Sequence, residues 1–130
     1  MMRDKLICAI LIEARTLLAR GWCQGANARY YDTRLGFVKC SAYISPPPNQ
    51  YCARGAIARA TKTVVLNTAP DLRCERWTLR HLVHDRIAKV IQSRVIESWN
   101  DNPDRSKTEV LAAFDMAIEN ASKSLAEQTA

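Results

Sequence analysis

Ser106-Lys107-Thr108-Glu109-Val110-Leu111-Ala112-Ala113-Phe114-Asp115-Met116-Ala117-Ile118-Glu119-Asn120-Ala121 decides the fold class of this chain. Ser106 and Glu109 form an S-x-x-E capping box, in which a hydroxyl and a carboxylate satisfy backbone amides left unpaired at a helix start. Behind the box, Val110, Leu111, Phe114, Ala117, Ile118 and Ala121 return at three- and four-residue steps, the apolar stripe of a half-buried helix. The same spacing opens the chain. Leu6, Ile10, Ala14 and Leu17, widened by Ile7, Leu11 and Leu18, predict a helix over 4–20. Gly21 stands where a left-handed residue would stop it, and Arg15 and Arg20 suit the negative end of its dipole. A third run, Leu79, Val83, Ile87, Val90, Ile91 and Val95, keeps helical spacing after Trp77, with Pro70 and Asp71 opening the stretch. One helix or two fit between Asp71 and Ser98.

The segments between these helices read differently. Tyr30-Tyr31 and Phe37-Val38 flank Asp32-Thr33-Arg34-Leu35-Gly36, a short hairpin in which Gly36 takes the positive-φ position. Pro46-Pro47-Pro48 marks a stiff connection. Asn49 is placed to cap a helix running from Gln50 to Thr61, whose interior Gly55 points to a close backbone approach. Thr63 to Leu66 fits either a strand or a helix end, and Trp99 to Arg105, through Asn-Asp-Asn-Pro, is a turn. The fold expected is mainly α: a compact single-domain helical bundle of about four helices, with a small β-hairpin after the first helix. A chain of 130 residues with 48% apolar content is long enough for one real core. The domain is expected to span 1–125, with 126–130 as a frayed tail.

Charge is distributed unevenly. The formal net charge is +6, yet Arg15 to Arg94 alone carries 14 basic and 4 acidic residues, while Val95 to Ala130 carries 3 basic and 7 acidic. Arginine outnumbers lysine 13 to 6, which favours bidentate recognition of phosphate or carboxylate. Two readings follow: an Arg-rich face for nucleic acid or an acidic protein, or a solvated surface onto which the acidic last helix folds back. Tyr30, Tyr31 and Tyr43 could stack bases, although no recognisable nucleic-acid module surrounds them.

Cysteines stand at 8, 23, 40, 52 and 74, an odd number without a C-x-x-C pair, which argues against a disulfide framework or a zinc knuckle. Free thiols in a reducing cytoplasm are the simplest account. Leu6 to Ile12 is the only apolar run near the start, too short for a membrane span and without a convincing cleavage site, so no membrane association is expected.

Two stretches nearly repeat one another. Trp22-Cys23-Gln24-Gly25-Ala26-Asn27-Ala28-Arg29 is answered by Tyr51-Cys52-Ala53-Arg54-Gly55-Ala56-Ile57-Ala58-Arg59, each an aromatic before cysteine followed by Gly-Ala-x-Ala-Arg. The one-residue offset between Cys and Gly, and the lack of similarity on either side, favour two packing motifs over a duplication. Either cysteine could be a nucleophile at a helix start, with His81 or His84 as base and Asp85 or Asp101 as orienter, though buried structural cysteine is the commoner fate. His81 and His84 share a helix face, but no third ligand stands at a diagnostic spacing, and no metal or cofactor is expected. Trp99-Asn100-Asp101 admits two accounts. It closes an Asx-type turn before the last helix, or it borders a pocket walled by Trp22 and Trp99, with Gln24, Asn100, Asp101 and Arg29 or Arg59 as polar contacts. The Walker A, G-x-G-x-x-G, H-E-x-x-H and G-x-S-x-G signatures are missing.

Gly21-Trp22-Cys23-Gln24-Gly25-Ala26-x-Ala28-Arg29, Cys52-x-x-Gly55-Ala56-Ile57, Trp99-Asn100-Asp101 and Pro103-Asp104-Arg105-Ser106-x-x-Glu109-Val110 together resemble an uncharacterised family of small bacterial and phage proteins, a domain of unknown function. The resemblance runs from residue 6 to about 121 in the same order, and the Lys39-to-Gln50 region is longer here than is typical. It implies no catalytic residues. The family's phage distribution makes an antagonist of host machinery one functional expectation.

The leading expectation is a non-catalytic binding protein, acting on a protein partner or small ligand through an Arg-bearing surface or an aromatic pocket. Alternatives are a nucleic-acid binder using the basic 15–94 region and a small cysteine-dependent enzyme.

Overall fold

The apolar stripe of the first segment becomes α1 (Met2–Arg20) in the computed structural model, which describes residues 2–42 and 48–129. The hairpin follows as β1 (Ala28–Asp32) and β2 (Gly36–Cys40), with Tyr30 opposite Val38 and Tyr31 opposite Phe37. Gly36 adopts φ +77° at the turn, as its position in the sequence requires. A third strand, β3 (Gln50–Tyr51), pairs with β1 on the far side from β2, giving an antiparallel sheet of order β2-β1-β3. Then come α2 (Ala53–Thr68), a 3-10 segment (Pro70–Glu75), α3 (Arg76–Ile91), α4 (Ile96–Asn100) and α5 (Lys107–Thr129). The described chain is mainly α, with five helices and one small three-stranded sheet.

The core lies between helix faces. Ile10, Leu11, Ala14 and Leu18 of α1 meet Ile57, Ala60 and Val65 of α2, with Leu79, Val83 and Ile87 of α3 and Val110, Phe114 and Ala117 of α5 in the same cluster. Every one of these is fully or almost fully buried. Helix α1 packs on both α2 and α5, and α3 packs on the same two. The acidic last helix folds back onto the first, antiparallel to it. Arg15 binds Asp115 through Nε–Oδ1 at 2.8 Å and Nη2–Oδ2 at 3.3 Å, Lys107 Nζ donates to the Ala19 carbonyl at 2.7 Å, and Gln128 Nε2 donates to Asp4 at 3.0 Å. The capping box forms as read: Ser106 Oγ accepts from the Glu109 amide at 3.2 Å, and Glu109 accepts from the Ser106 amide at 3.1 Å. These bonds hold the Glu109 carboxyl below its usual range, the Ser106 amide contributing most.

Several sequence expectations need correction. Gly21 is not left-handed: the only glycines at positive φ among the described residues are Gly25 and Gly36. Gly21 is needed for space, because a Cβ there would lie 2.1 Å from the Asn49 carbonyl oxygen. Asn49 caps no helix. Gln50 and Tyr51 are recruited as a strand by β1, and the helix starts only at Ala53, with Cys52 as its cap. That helix continues to Thr68, so Thr63 to Leu66 is helical. The stretch after Pro70 resolves into the 3-10 segment, one unbroken α3 through Asp85, and a separate α4, with Gln92 at φ 55° ending α3. Val95 lies past that end and is exposed, and Trp99 and Asn100 are the last residues of α4 rather than part of the turn. Helix α5 runs to Thr129. Tyr43 as a stacking group and the Pro46-Pro47 part of the stiff connection lie outside the described residues.

Candidate functional site

Two clusters compete as sites, one anticipated from the motifs and one not. The first centres on Asn100, whose side chain is completely buried. Its Oδ1 accepts from Trp22 Nε1 at 2.7 Å and from the Ala53 amide at 2.9 Å. Its Nδ2 donates to the Cys23 carbonyl at 3.2 Å and to Asp101 Oδ1 at 2.9 Å. Asp101 Oδ1 also accepts from the Gly25 amide at 3.0 Å. Gln24 Nε2 completes the cluster, donating to the carbonyls of Asn100 at 2.9 Å and Asn102 at 2.8 Å. One carboxamide thus ties the loop after α1, the start of α2 and the end of α4 together.

The local backbone explains why these residues converge. Tyr51 donates its amide to the Gly21 carbonyl, and Cys23 donates back to Tyr51, both at 3.0 Å, so 21–23 and 51 run side by side. The Cys52 amide then donates to the Asn27 carbonyl at 3.1 Å. Gly55 makes this approach possible, since a Cβ there would lie 1.8 Å from the Asn27 oxygen. The two aromatic-Cys motifs therefore touch, but they are not copies. The first is a loop with Gly25 at φ +77°, and the second is a strand end entering a helix.

The cysteines are absorbed into this packing. Cys52 Sγ accepts from the Gly55 amide at 3.3 Å and donates to Asn27 Oδ1 at 3.7 Å, while Cys23 Sγ donates to the Ala26 carbonyl at 3.7 Å. Burial pushes both thiols up, Cys23 to about 11 with Cys52 adding to the effect. For Cys52 the Gly55 and Arg54 amides oppose the rise without reversing it. Both remain thiols at neutral pH, the opposite of what a nucleophile needs.

The structure brings together Trp22, Gln24, Asn100 and Asp101 and turns their polar groups on one another. Trp99 is adjacent, and its ring carries the Arg105 guanidinium 4.1 Å from the centroid. Arg29 and Arg59 do not join them. Arg29 Nε donates to Gln50 Oε1 and its guanidinium lies 4.4 Å over the Phe37 ring, on the hairpin's exposed side. Arg59 Nη1 donates to the Ala42 carbonyl at 3.4 Å. No buried side-chain nitrogen or oxygen among the described residues lacks a partner, those of this hub included.

The second cluster is a groove of about 410 Å³ between α2 and the 3-10 segment leading into α3, within the range of small-ligand sites. Lys62, Arg73, Arg76 and Arg80 line it together with Trp77 and Cys74, and its lining contains no carboxylate. Trp77 is 65% exposed, with the His81 ring at 4.0 Å between centroids as its neighbour. Among the described residues neither Arg73 nor Arg76 makes an ion pair, and Glu75 between them faces Arg3 at 3.8 Å. The signal was legible in Arg73-Cys74-Glu75-Arg76-Trp77-Thr78-Leu79-Arg80, where three arginines surround a tryptophan at helical steps. The helical period of α3 masks that signal, because Trp77 also reads as the first apolar residue of its stripe.

Farther along α3, His84 is half-buried and held at about 4, chiefly by burial, with Arg54, Arg80 and His81 adding to the depression and Asp85 opposing it. The His81 and His84 rings are 6.3 Å apart, and no three His, Cys, Asp or Glu side chains among the described residues are grouped to hold a metal ion.

Residues 2–120 match the model of a family of unknown function. The chain belongs to the DUF6197 family. No curated protein and no solved structure matches this DUF6197 chain. Among its described residues no helix is long and apolar enough to cross a membrane.

Proposed function

We propose that this DUF6197 protein is a non-catalytic binding protein that engages an anionic partner through the groove of Lys62, Arg73, Arg76, Trp77 and Arg80. One observation carries the reading. Among the described residues Arg73 and Arg76 make no ion pair, and they stand beside an exposed indole in a concavity whose lining has no carboxylate. Unneutralised guanidiniums concentrated in a cleft attract carboxylate or phosphate and raise encounter rates. The pocket expected between Trp22 and Trp99 is the weaker version, because its polar groups bond internally. A cysteine enzyme is weaker still, given two thiols with raised pKa values. Five free cysteines fit a reducing cytoplasm as the place of action. The bacterial and phage affiliation inferred from the motifs would make a component of host machinery the partner.

Retention on heparin, a generic polyanion, tests the reading. Arg73→Glu with Arg76→Glu should elute at markedly lower salt than wild type, with an unchanged melting temperature. A control pair of equal charge change on α3, Arg86→Glu with Lys89→Glu, should shift elution much less. Equal shifts for the two pairs would mean that net charge, rather than the groove, determines binding.

A further inference from the structure

Resting on the groove as the binding site, we infer that its occupant is single-stranded nucleic acid, one base stacked on Trp77 and the flanking phosphates held by Arg73 and Arg76. The choice among anions comes from the indole. An acidic peptide or a polysaccharide sulfate is recognised by cations alone and does not need an exposed aromatic plane among them. Binding of single strands uses cations that follow the backbone together with aromatic side chains on which bases stack. Here the most exposed of the three tryptophans, 65% accessible, is also the one set among four cations. Trp22 and Trp99 are half-buried against Asn100 and Arg105, whereas Trp77, with the tilted His81 ring at 4.0 Å as its neighbour, keeps most of its surface open.

Helical geometry supports the same occupant. Trp77 and Arg80 are three residues apart on α3 and so neighbours on one face, while Arg73 from the 3-10 segment and Arg76 from the start of α3 line the same groove. Lys62 comes from α2 on the opposite wall, completing a cationic channel open to solvent rather than a closed pocket. A duplex keeps its bases stacked inside and presents no free ring face to Trp77, so single strands are preferred. Stacking on Trp77 selects the strand rather than its sequence, because every base has a π-face.

The test is a titration of the full chain with fluorescein-labelled oligonucleotides of about a dozen nucleotides, within the usual footprint of such sites. Anisotropy reports binding and intrinsic fluorescence reports contact with tryptophan. Poly-L-glutamate and a duplex of equal length are the competitors. Single strands should bind and quench Trp77 emission. Trp77→Ala should lower affinity about 5- to 150-fold, the range given by loss of one stacked base, and Trp77→Phe should recover part of it. The slope of log affinity against log salt should be about −0.7 per phosphate held, and Arg73→Gln with Arg76→Gln should flatten it by about 1.4. Trp77 is exposed, so a circular-dichroism melt of each variant should match wild type and exclude misfolding.

Three results overturn the inference. If poly-L-glutamate competes as well as the oligonucleotide and Trp77→Ala binds normally, the groove takes an acidic protein; the nucleic-acid assignment fails while the groove reading stands. If the duplex binds equally well without dependence on Trp77, stacking is not involved. If no polyanion binds, or the arginine variants bind as wild type, both the occupant and the groove reading fall.

Discussion

Asn100 and Trp77 belong to the two most chemically suggestive neighbourhoods of the chain, and they do opposite things. Around Asn100 every buried side-chain nitrogen and oxygen has an internal partner, and the cluster holds three segments together. Around Trp77 the indole is 65% exposed, and among the described residues Arg73 and Arg76 beside it make no ion pair. Motif density in a sequence therefore does not distinguish a site from a structural junction. What separates them is whether the polar groups are satisfied by the chain itself.

The sharpest way to break this comparison is at the junction. Asn100→Ala removes four side-chain bonds and leaves Trp22 Nε1, the Ala53 amide and the Cys23 carbonyl unpaired in the interior. The expected loss is about 3–4 kcal/mol in chemical denaturation, since each buried group left unsatisfied costs about 1–3 kcal/mol. A loss below about 1 kcal/mol would mean that water replaces the carboxamide and that the hub is not structural. Gly55→Ala attacks the same junction from its backbone. Its Cβ would collide with the Asn27 carbonyl, and the expected destabilisation is about 2–3 kcal/mol despite alanine's better helix propensity. A neutral or stabilised variant would show that the two aromatic-Cys segments separate freely.

A smaller effect comes from the α3 side. His84 is depressed to about 4 in the folded chain, below its ordinary 6.5. The unfolded chain then binds the extra proton first, so the contribution is complete above pH 6.5 and is lost as pH falls toward 4. The melting temperature of wild type should fall between pH 7 and about 5 more steeply than that of His84→Gln. Parallel curves would remove the burial and the cations of Arg54 and Arg80 as influences on this group.

The helices were legible because their cores are one-sided. The stripes of α1 and α5 and the Ser106–Glu109 box predict their elements from local spacing alone. The hairpin was legible from Gly36. What the sequence concealed was long-range. Strand β3 exists because Arg29 offers it a partner 21 positions away. Gly21 serves Asn49 and Gly55 serves Asn27, and neither relation has a local signature. The candidate pocket mixed groups from both worlds: Trp22, Gln24, Asn100 and Asp101 do assemble, while Arg29 and Arg59 are drawn to Gln50 and Ala42 by the sheet. The groove was written in plain view at 73–80, but the helical period of α3 accounts for Trp77 without it.

The contrast between a closed junction and an open groove is tested most directly by alkylating the native protein and mapping all five thiols by mass spectrometry. Cys74 lies exposed in the groove, Cys23 and Cys52 are buried at the junction, and Cys8 and Cys40 are intermediate. Cys74 is expected to be modified first, and Cys23 and Cys52 only after denaturation. Modification of Cys23 or Cys52 as fast as Cys74 near neutral pH would contradict it, showing that the junction opens in the native state and returning those thiols to candidacy as reactive groups.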